Sequence, residues 1–77
     1  MESKVEKLKE IIAEKLGVPV EEIKPESELE GDLNAGILEI ADIAMKLREE
    51  MQIEISEEEI KKIITVNDFI NLVADEE

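Results

Sequence analysis

Residues 36–51 read GILEIADIAMKLREEM, and the spacing of the apolar residues in this stretch predicts a helix from Gly36 or Ile37 to Met51. When each residue advances by about 100° around the helix axis, the apolar residues occupy two adjacent arcs. Together the arcs are about twice as wide as one core contact requires. The first arc, an ordinary core face, holds Ile40, Ile43, Ala44, Leu47 and Met51, and the second holds Ile37, Leu38, Ala41 and Met45.

The second arc allows two interpretations. In one, the helix is packed centrally among the others and buries its whole apolar surface. In the other, the arc belongs to a strip on which a partner protein docks, since small and flexible apolar residues adapt to a partner. Acidic residues along its edge suit a partner pocket that is apolar and ringed by Arg or Lys. We define the helix-2 strip as Leu38, Glu39, Ala41, Asp42, Met45 and Glu49.

A first helix and a long connection precede this stretch. Ser3 with Glu6 forms a capping box that opens a helix from Ser3 to Leu16, and Gly17 supplies the stop. The two prolines in residues 18–29 forbid a continuous helix there. Because apolar residues recur along this connection, we expect an ordered loop that packs against the core and contains one short turn around Glu21 to Ile23.

Two further helices follow. Ser56 with Glu59 opens a short third helix, and Thr65 caps a fourth, Val66 to about Ala74. Their apolar residues are Ile60, Ile63 and Ile64 in the third helix and Phe69, Ile70 and Val73 in the fourth. We therefore expect a single all-α domain over residues 1–77. It is a four-helix bundle with three main helices, one short third helix and a long first connection.

Composition narrows the class of partner. The chain has 77 residues and 22 acidic against 9 basic side chains, which gives a formal net charge of −13. Such a surface disfavours nucleic acid and anionic membranes and steers basic patches of other proteins toward it. No apolar stretch has the length of a membrane span, and we expect a cytoplasmic monomer without bound nucleic acid.

No catalytic or metal-binding constellation is visible. Histidine and cysteine are absent, and the carboxylates lie on helix surfaces without a partner acid or base at a catalytic spacing. Glu57, Glu58 and Glu59 are adjacent acids, but they lack the ligand spacing of a calcium loop. We therefore expect neither enzyme activity nor a metal site.

Six short segments occur in one order and at one set of spacings over nearly the whole chain. Each segment alone is weak evidence for a protein family, but the six segments together are specific to one. The segments are Leu16-Gly17-Val18, Glu21-Glu22-Ile23, Asp32-Leu33, Leu47-Arg48-Glu49-Glu50-Met51, Ile53-Glu54-Ile55 and Ile63-Ile64-Thr65-Val66.

Together these segments resemble the acyl carrier protein family, and the resemblance implies its helical-bundle fold. Carriers of this family attach 4′-phosphopantetheine to a serine at the start of the second helix, within a segment similar to Gly-Ala-Asp-Ser-Leu-Asp. Peptide amides at an exposed helix amino terminus favour that phosphate. The resemblance places Ile37 at the serine position and Gly36 at the aspartate position. It implies that no phosphodiester forms there and that this chain binds no cofactor.

We expect no other hydroxyl to replace the serine. Ser3, Ser56 and Thr65 are expected to cap helices, and Ser27 lies in the first connection. None of them neighbours a segment similar to Asp-x-Leu. The resemblance also implies that the helix-2 strip meets the family's enzymes, although Lys46 and Arg48 dilute its acidity.

Ile37 itself has two interpretations. It is either an apolar residue at a helix start, packed toward Ile40 and Ala41 or simply exposed, or it covers the entrance for an acyl chain. In the second case it would leave a closed module that docks without cargo.

Three functions remain open. The first is an acyl carrier protein-like module of fatty-acid or polyketide-type metabolism, which docks on enzymes with basic patches and carries no prosthetic group. The second is a genuine acyl carrier, for thioester transport, whose serine was replaced. The third is an acidic interaction protein unrelated to acyl transfer. We expect the first.

Overall fold

The chain folds as an all-α bundle whose first helix is fixed by its two caps. The computed structural model describes residues 3–75, and residues 1, 2, 76 and 77 of the predicted domain lie outside the described part. Helix α1 spans Lys4–Leu16, and Ser3 precedes it as the cap, with its Oγ accepting a hydrogen bond from Glu6 N at 3.1 Å. Gly17 ends the helix at φ 68°, a left-handed conformation that glycine adopts without steric cost.

Three more helices complete the described fold. Helix α2 spans Ile37–Met51, α3 spans Glu57–Lys62 and α4 spans Val66–Asp75, which confirms the four-helix class and the short third helix. The predicted capping box of Ser56 and Glu59 is present at the start of α3. The prediction that α3 carries Ile63 and Ile64 is wrong, because the chain leaves helical geometry after Lys62.

The long first connection is ordered and is joined to the α3–α4 junction by backbone hydrogen bonds. It contains one 3-10 turn, Val20–Glu22, and no longer helix. Leu29 N donates to Ile64 O at 2.9 Å, and Val66 N donates to Ser27 O at 3.0 Å. This antiparallel pairing satisfies backbone groups that would otherwise be buried without partners. At the end of α3, Ile64 N does not continue the helix, because it donates to Asp68 Oδ2 at 2.8 Å.

The core lies where α1 meets both α2 and α4, and α2 also contacts α3. The predicted core arc of α2 is confirmed, with Met51 only half-buried and the other four members buried. The connection also contributes to the core through Leu29. The fully buried large side chains are Phe69, Leu8, Ile12, Leu29, Ile43, Leu47, Ile53, Val66 and Val73.

The start of α4 depends on one ionised carboxylate. Asp68 Oδ2 accepts hydrogen bonds from Ile64 N at 2.8 Å and Thr65 N at 3.0 Å, and Thr65 Oγ1 accepts one from Asp68 N at 3.3 Å. The backbone N–H groups of Thr65 and Ile64 hold the pKa of Asp68 below its ordinary value of 3.8. Because the pKa is lower in the folded state, ionised Asp68 stabilises the fold above the unfolded pKa. That contribution is lost as the pH falls through the folded pKa.

We expect Asp68→Asn to lower the free energy of unfolding by about 1 kcal/mol at neutral pH, the usual worth of a helix cap. The difference from the parent chain should shrink as the pH falls through the lowered pKa of folded Asp68, below which the carboxyl is protonated in both states. Urea unfolding of both chains at several pH values measures this difference in the free energy of unfolding. Glu54→Gln is the control, because it removes one exposed acid from a chain of net charge −13 without touching a cap. An equal loss in both variants, or a difference that grows in acid, would contradict the role of Asp68.

Candidate functional site

The loop before α2 is closed by the carboxylate of Asp32. Its Oδ2 accepts a hydrogen bond from Glu28 N at 2.8 Å, and Asp32 N donates to Glu28 O at 2.8 Å. Ala35 N donates to Leu29 O at 2.7 Å, and the side chains of Leu33 and Ala35 are buried. The loop therefore positions the start of α2 rigidly against the core.

Helix α2 begins after a left-handed residue and a glycine cap. Asn34 lies at φ 58°, a conformation that asparagine tolerates better than most residues. Gly36 N donates to Glu39 Oε1 at 2.8 Å, and Gly36 O accepts the first helical hydrogen bond, from Ile40 N. Glycine has no side-chain oxygen, so only half of a capping box forms here.

Ile37 is the first helical residue, and its side chain is 56% exposed. It stands at the position where the resemblance expects the attachment serine. An aliphatic side chain offers no nucleophile for a phosphodiester, and so the residue at this position does not fit the family's prosthetic group.

The four hydroxyl side chains of the chain lie away from the start of α2. Ser3, Ser56 and Thr65 each accept a hydrogen bond from a backbone N–H at a helix start, as predicted. Ser27 is buried in the first connection, where its Oγ accepts a hydrogen bond from Lys24 N at 3.3 Å. None of the four lies at the start of α2.

The second apolar arc of α2 is left largely uncovered. Leu38 is 75% exposed and Met45 is 60% exposed, whereas Ala41 is half-buried. The interpretation that α2 buries its whole apolar surface is therefore wrong. On a helix, residues three and four apart share a face, which brings Leu38, Asp42, Met45 and Glu49 into one row. The structure thus leaves the helix-2 strip on the surface with its acidic side chains Glu39, Asp42 and Glu49 exposed.

The two basic residues of α2 near the strip differ in their surroundings. Lys46 Nζ lies 3.1 Å from Glu50 Oε2, and Lys7 Nζ of α1 lies 3.3 Å from Glu50 Oε1. The hydrogen bond to Glu50 raises the pKa of Lys46, and the hydrogen bonds from Lys46 and Lys7 lower the pKa of Glu50. Arg48 instead lines a shallow groove of about 290 Å³ with Met45 and Glu49, so it borders the strip directly.

A second surface feature, which we call the α2–α3 cleft, adjoins the start of α2. It has a volume of about 270 Å³, and Ile37 of α2 and Ile64 of the α3–α4 junction both line it. Ile37 lines this open cleft and remains more than half exposed, and the interpretation that it covers an entrance for an acyl chain stays a prediction. Sequence reasoning missed this cleft, since it placed Ile64 within α3.

Two further properties bear on the chemistry of the surface. Among the described residues, no group of three or more His, Cys, Asp or Glu side chains is arranged to hold a metal ion. None of the helices in residues 3–75 is long and apolar enough to cross a membrane.

Comparison with known proteins agrees with the fold. A family model described as "Phosphopantetheine attachment site" matches residues 6–73. The acyl carrier protein of Clostridium acetobutylicum is 44% identical over 68 residues, covering 88% of each chain. The acyl carrier proteins of two strains of Nitratidesulfovibrio vulgaris are each 39% identical over 72 residues, which cover 94% of this chain and 95% of theirs. With its helical bundle and these matches over most of its length, the chain belongs to the acyl carrier protein family, whose cofactor is 4′-phosphopantetheine.

Proposed function

We propose that this chain is an acyl carrier protein-like module that docks on enzymes of fatty-acid or polyketide-type metabolism without carrying 4′-phosphopantetheine. In this proposal it acts as a cytoplasmic monomer and catalyses no reaction itself. Its partners are enzymes with basic docking patches. The single observation that carries the proposal is the side chain of Ile37, exposed at the amino end of α2.

Loss of the cargo follows from the chemistry of attachment. To load a carrier, a serine oxygen attacks the phosphorus next to pantetheine in coenzyme A and displaces adenosine 3′,5′-bisphosphate. The serine loses its proton, and the product is a phosphodiester. Ile37 has no hydroxyl, and the hydroxyls of this chain cap helices or lie buried in the first connection.

Retention of docking is supported by the helix-2 strip. Leu38 and Met45 are exposed although they are apolar, and burying them against a partner would contribute about 25 cal/mol for each Å² of apolar surface removed from water. The acidic neighbours Asp42 and Glu49 match a partner with Arg or Lys around its pocket. Lys46 is engaged by Glu50, so its charge opposes such a partner less than a free lysine would.

We expect Ile37→Ser together with Gly36→Asp to restore loading. Ile37 is exposed and Gly36 is not in the core. A Cβ atom at Gly36 would lie 3.1 Å from Glu39 Oε1, the far end of a flexible side chain that can shift, so the fold should be preserved and the new hydroxyl would be exposed at a helix amino terminus. Incubation with coenzyme A and a broad-specificity phosphopantetheinyl transferase, followed by intact-mass measurement, should show the gain of one phosphopantetheine.

Ile37→Ala is the matched control, because it removes the bulk of isoleucine without adding a nucleophile. Loading of the alanine variant would place the attachment site elsewhere in the chain. An unchanged mass for the doubly substituted chain, with its helical circular dichroism retained, would show that the recognition surface has been lost as well as the serine.

Docking through the strip is tested with Met45→Glu. A new charge at the centre of the strip should weaken binding to a ketosynthase or acyltransferase by about tenfold, because burying an unpaired charge is costly. Surface plasmon resonance on the immobilised enzyme measures the dissociation constant. Val20→Glu is the control, since it makes the same kind of change at an exposed apolar residue of the 3-10 turn. Equal affinities for the parent chain and Met45→Glu would refute docking through the strip.

A further inference from the structure

Lys46 lies on α2 at the border between the helix-2 strip and the line where α2 meets α1, which we call the α1–α2 seam. At about 100° per residue, Lys46 stands about 40° from Asp42 of the strip on one side and about 40° from Glu50 on the other. Both acids are four residues from Lys46, a spacing at which opposite charges on a helix pair. Glu49 of the strip is three residues away and is also within reach. Lys46 therefore has possible acidic partners on both sides.

The structure places Lys46 on the side of the seam. Lys46 Nζ lies 3.1 Å from Glu50 Oε2, whereas Asp42 and Glu49 form no ion pair with the residues that the structure describes. The local rule for helices favours the other side, because an acid four residues before a lysine pairs better than an acid four residues after it. The surroundings of Glu50 outside α2 supply a reason for the observed side.

Helix α1 makes the seam acidic. Lys7 Nζ of α1 lies 3.3 Å from Glu50 Oε1, so Glu50 binds one lysine of each helix. A groove of about 110 Å³ at the seam is lined by Lys7, Glu10, Ile11, Glu14 and Glu50. Its three carboxylates are accompanied by one ammonium group, so the seam attracts a second cation. Glu50 raises the pKa of Lys46 most, and the charges of Glu49 and Glu14 raise it further.

We infer that Glu50 is a positioning residue, which holds Lys46 at the α1–α2 seam and so leaves Asp42 and Glu49 of the helix-2 strip without a lysine partner. The inference rests on the proposed function, because these two carboxylates are the ones that the strip offers to a partner enzyme. Glu50 is not a member of the strip and acts on it through Lys46. When Glu50 is made neutral, Lys46 turns to Asp42 or Glu49 and occupies a carboxylate of the strip.

The first test locates Lys46 in the full chain through the carboxylate ¹³C chemical shifts of its neighbours at neutral pH. In the parent chain, Lys46→Met should move the Cδ signal of Glu50 and leave the carboxylate signals of Asp42 and Glu49 nearly unchanged. In a Glu50→Gln background, the same substitution should move the signal of Asp42 or Glu49, because Lys46 then pairs there. Equal changes at Asp42 and Glu49 in the two backgrounds would overturn the inference.

The second test measures the consequence for docking on an immobilised ketosynthase. Glu50→Gln should raise the dissociation constant about twofold, which corresponds to one charge pair at this helical spacing, and added salt should reduce the difference. Glu22→Gln, at an exposed acid of the 3-10 turn, is the control for the loss of one charge. In a Lys46→Met background, Glu50→Gln should leave the affinity unchanged. Equal weakening with and without Lys46 would mean that Glu50 contacts the enzyme itself, and the inference would be wrong.

The two tests separate this inference from the proposed function. The ¹³C shifts are measured on the chain alone and do not depend on any enzyme. If they follow the expected pattern while Met45→Glu leaves docking unchanged, the position of Lys46 is supported and docking through the strip is refuted. If Met45→Glu weakens docking while Lys46→Met already moves the Asp42 signal in the parent chain, docking is supported and the role of Glu50 is refuted. An unchanged affinity of Glu50→Gln, where Met45→Glu lowers the affinity, also refutes that role.

Discussion

The antiparallel pairing between the first connection and the α3–α4 junction is the constraint on which the surface around the start of α2 depends. The hydrogen bonds Leu29 N to Ile64 O and Val66 N to Ser27 O tie together segments that are far apart in the sequence. Leu29 is also fully buried, so the pairing is supported by the core as well as by the backbone. The pairing therefore places the α3–α4 junction beside the segment that leads into α2.

That constraint explains why apolar residues collect at one end of the surface. The pairing holds Ile64 outside α3. The tight loop closed by Asp32 places Ile37 at the start of α2. Two aliphatic side chains are thereby left exposed on one cleft, next to the exposed Leu38. Exposed apolar residues do not contribute to the core, and their position beside the helix-2 strip fits a surface that is used for binding.

Much of the fold could be predicted because the helix boundaries are encoded locally. The capping boxes at Ser3 and Ser56 and the left-handed Gly17 each depend on residues within one turn. The end of α3 could not be predicted in the same way. Ile60, Ile63 and Ile64 have helical spacing, but Ile64 N donates to the Asp68 carboxylate at the start of α4 and Ile64 O accepts a hydrogen bond from distant Leu29 N. Apolar periodicity carries no information about either bond.

Part of the candidate site could also be predicted, because that part depends on local sequence. The apolar width of α2 is a local pattern and indicated the helix-2 strip, but whether another helix covers it depends on the packing of the whole bundle. Exposure of Leu38 and Met45 decides between the two interpretations. The α2–α3 cleft was missed because it joins residues of α2 with residues of the α3–α4 junction, whose juxtaposition is a tertiary property.

The central claim is that a member of the acyl carrier protein family docks here without the family's cargo. The most direct measurement is the intact mass of the unaltered chain after incubation with coenzyme A and an active phosphopantetheinyl transferase, with a loadable carrier protein in the same tube as a positive control. We expect the control to gain one phosphopantetheine and the mass of this chain to stay unchanged. A gain of one phosphopantetheine on this chain would contradict it.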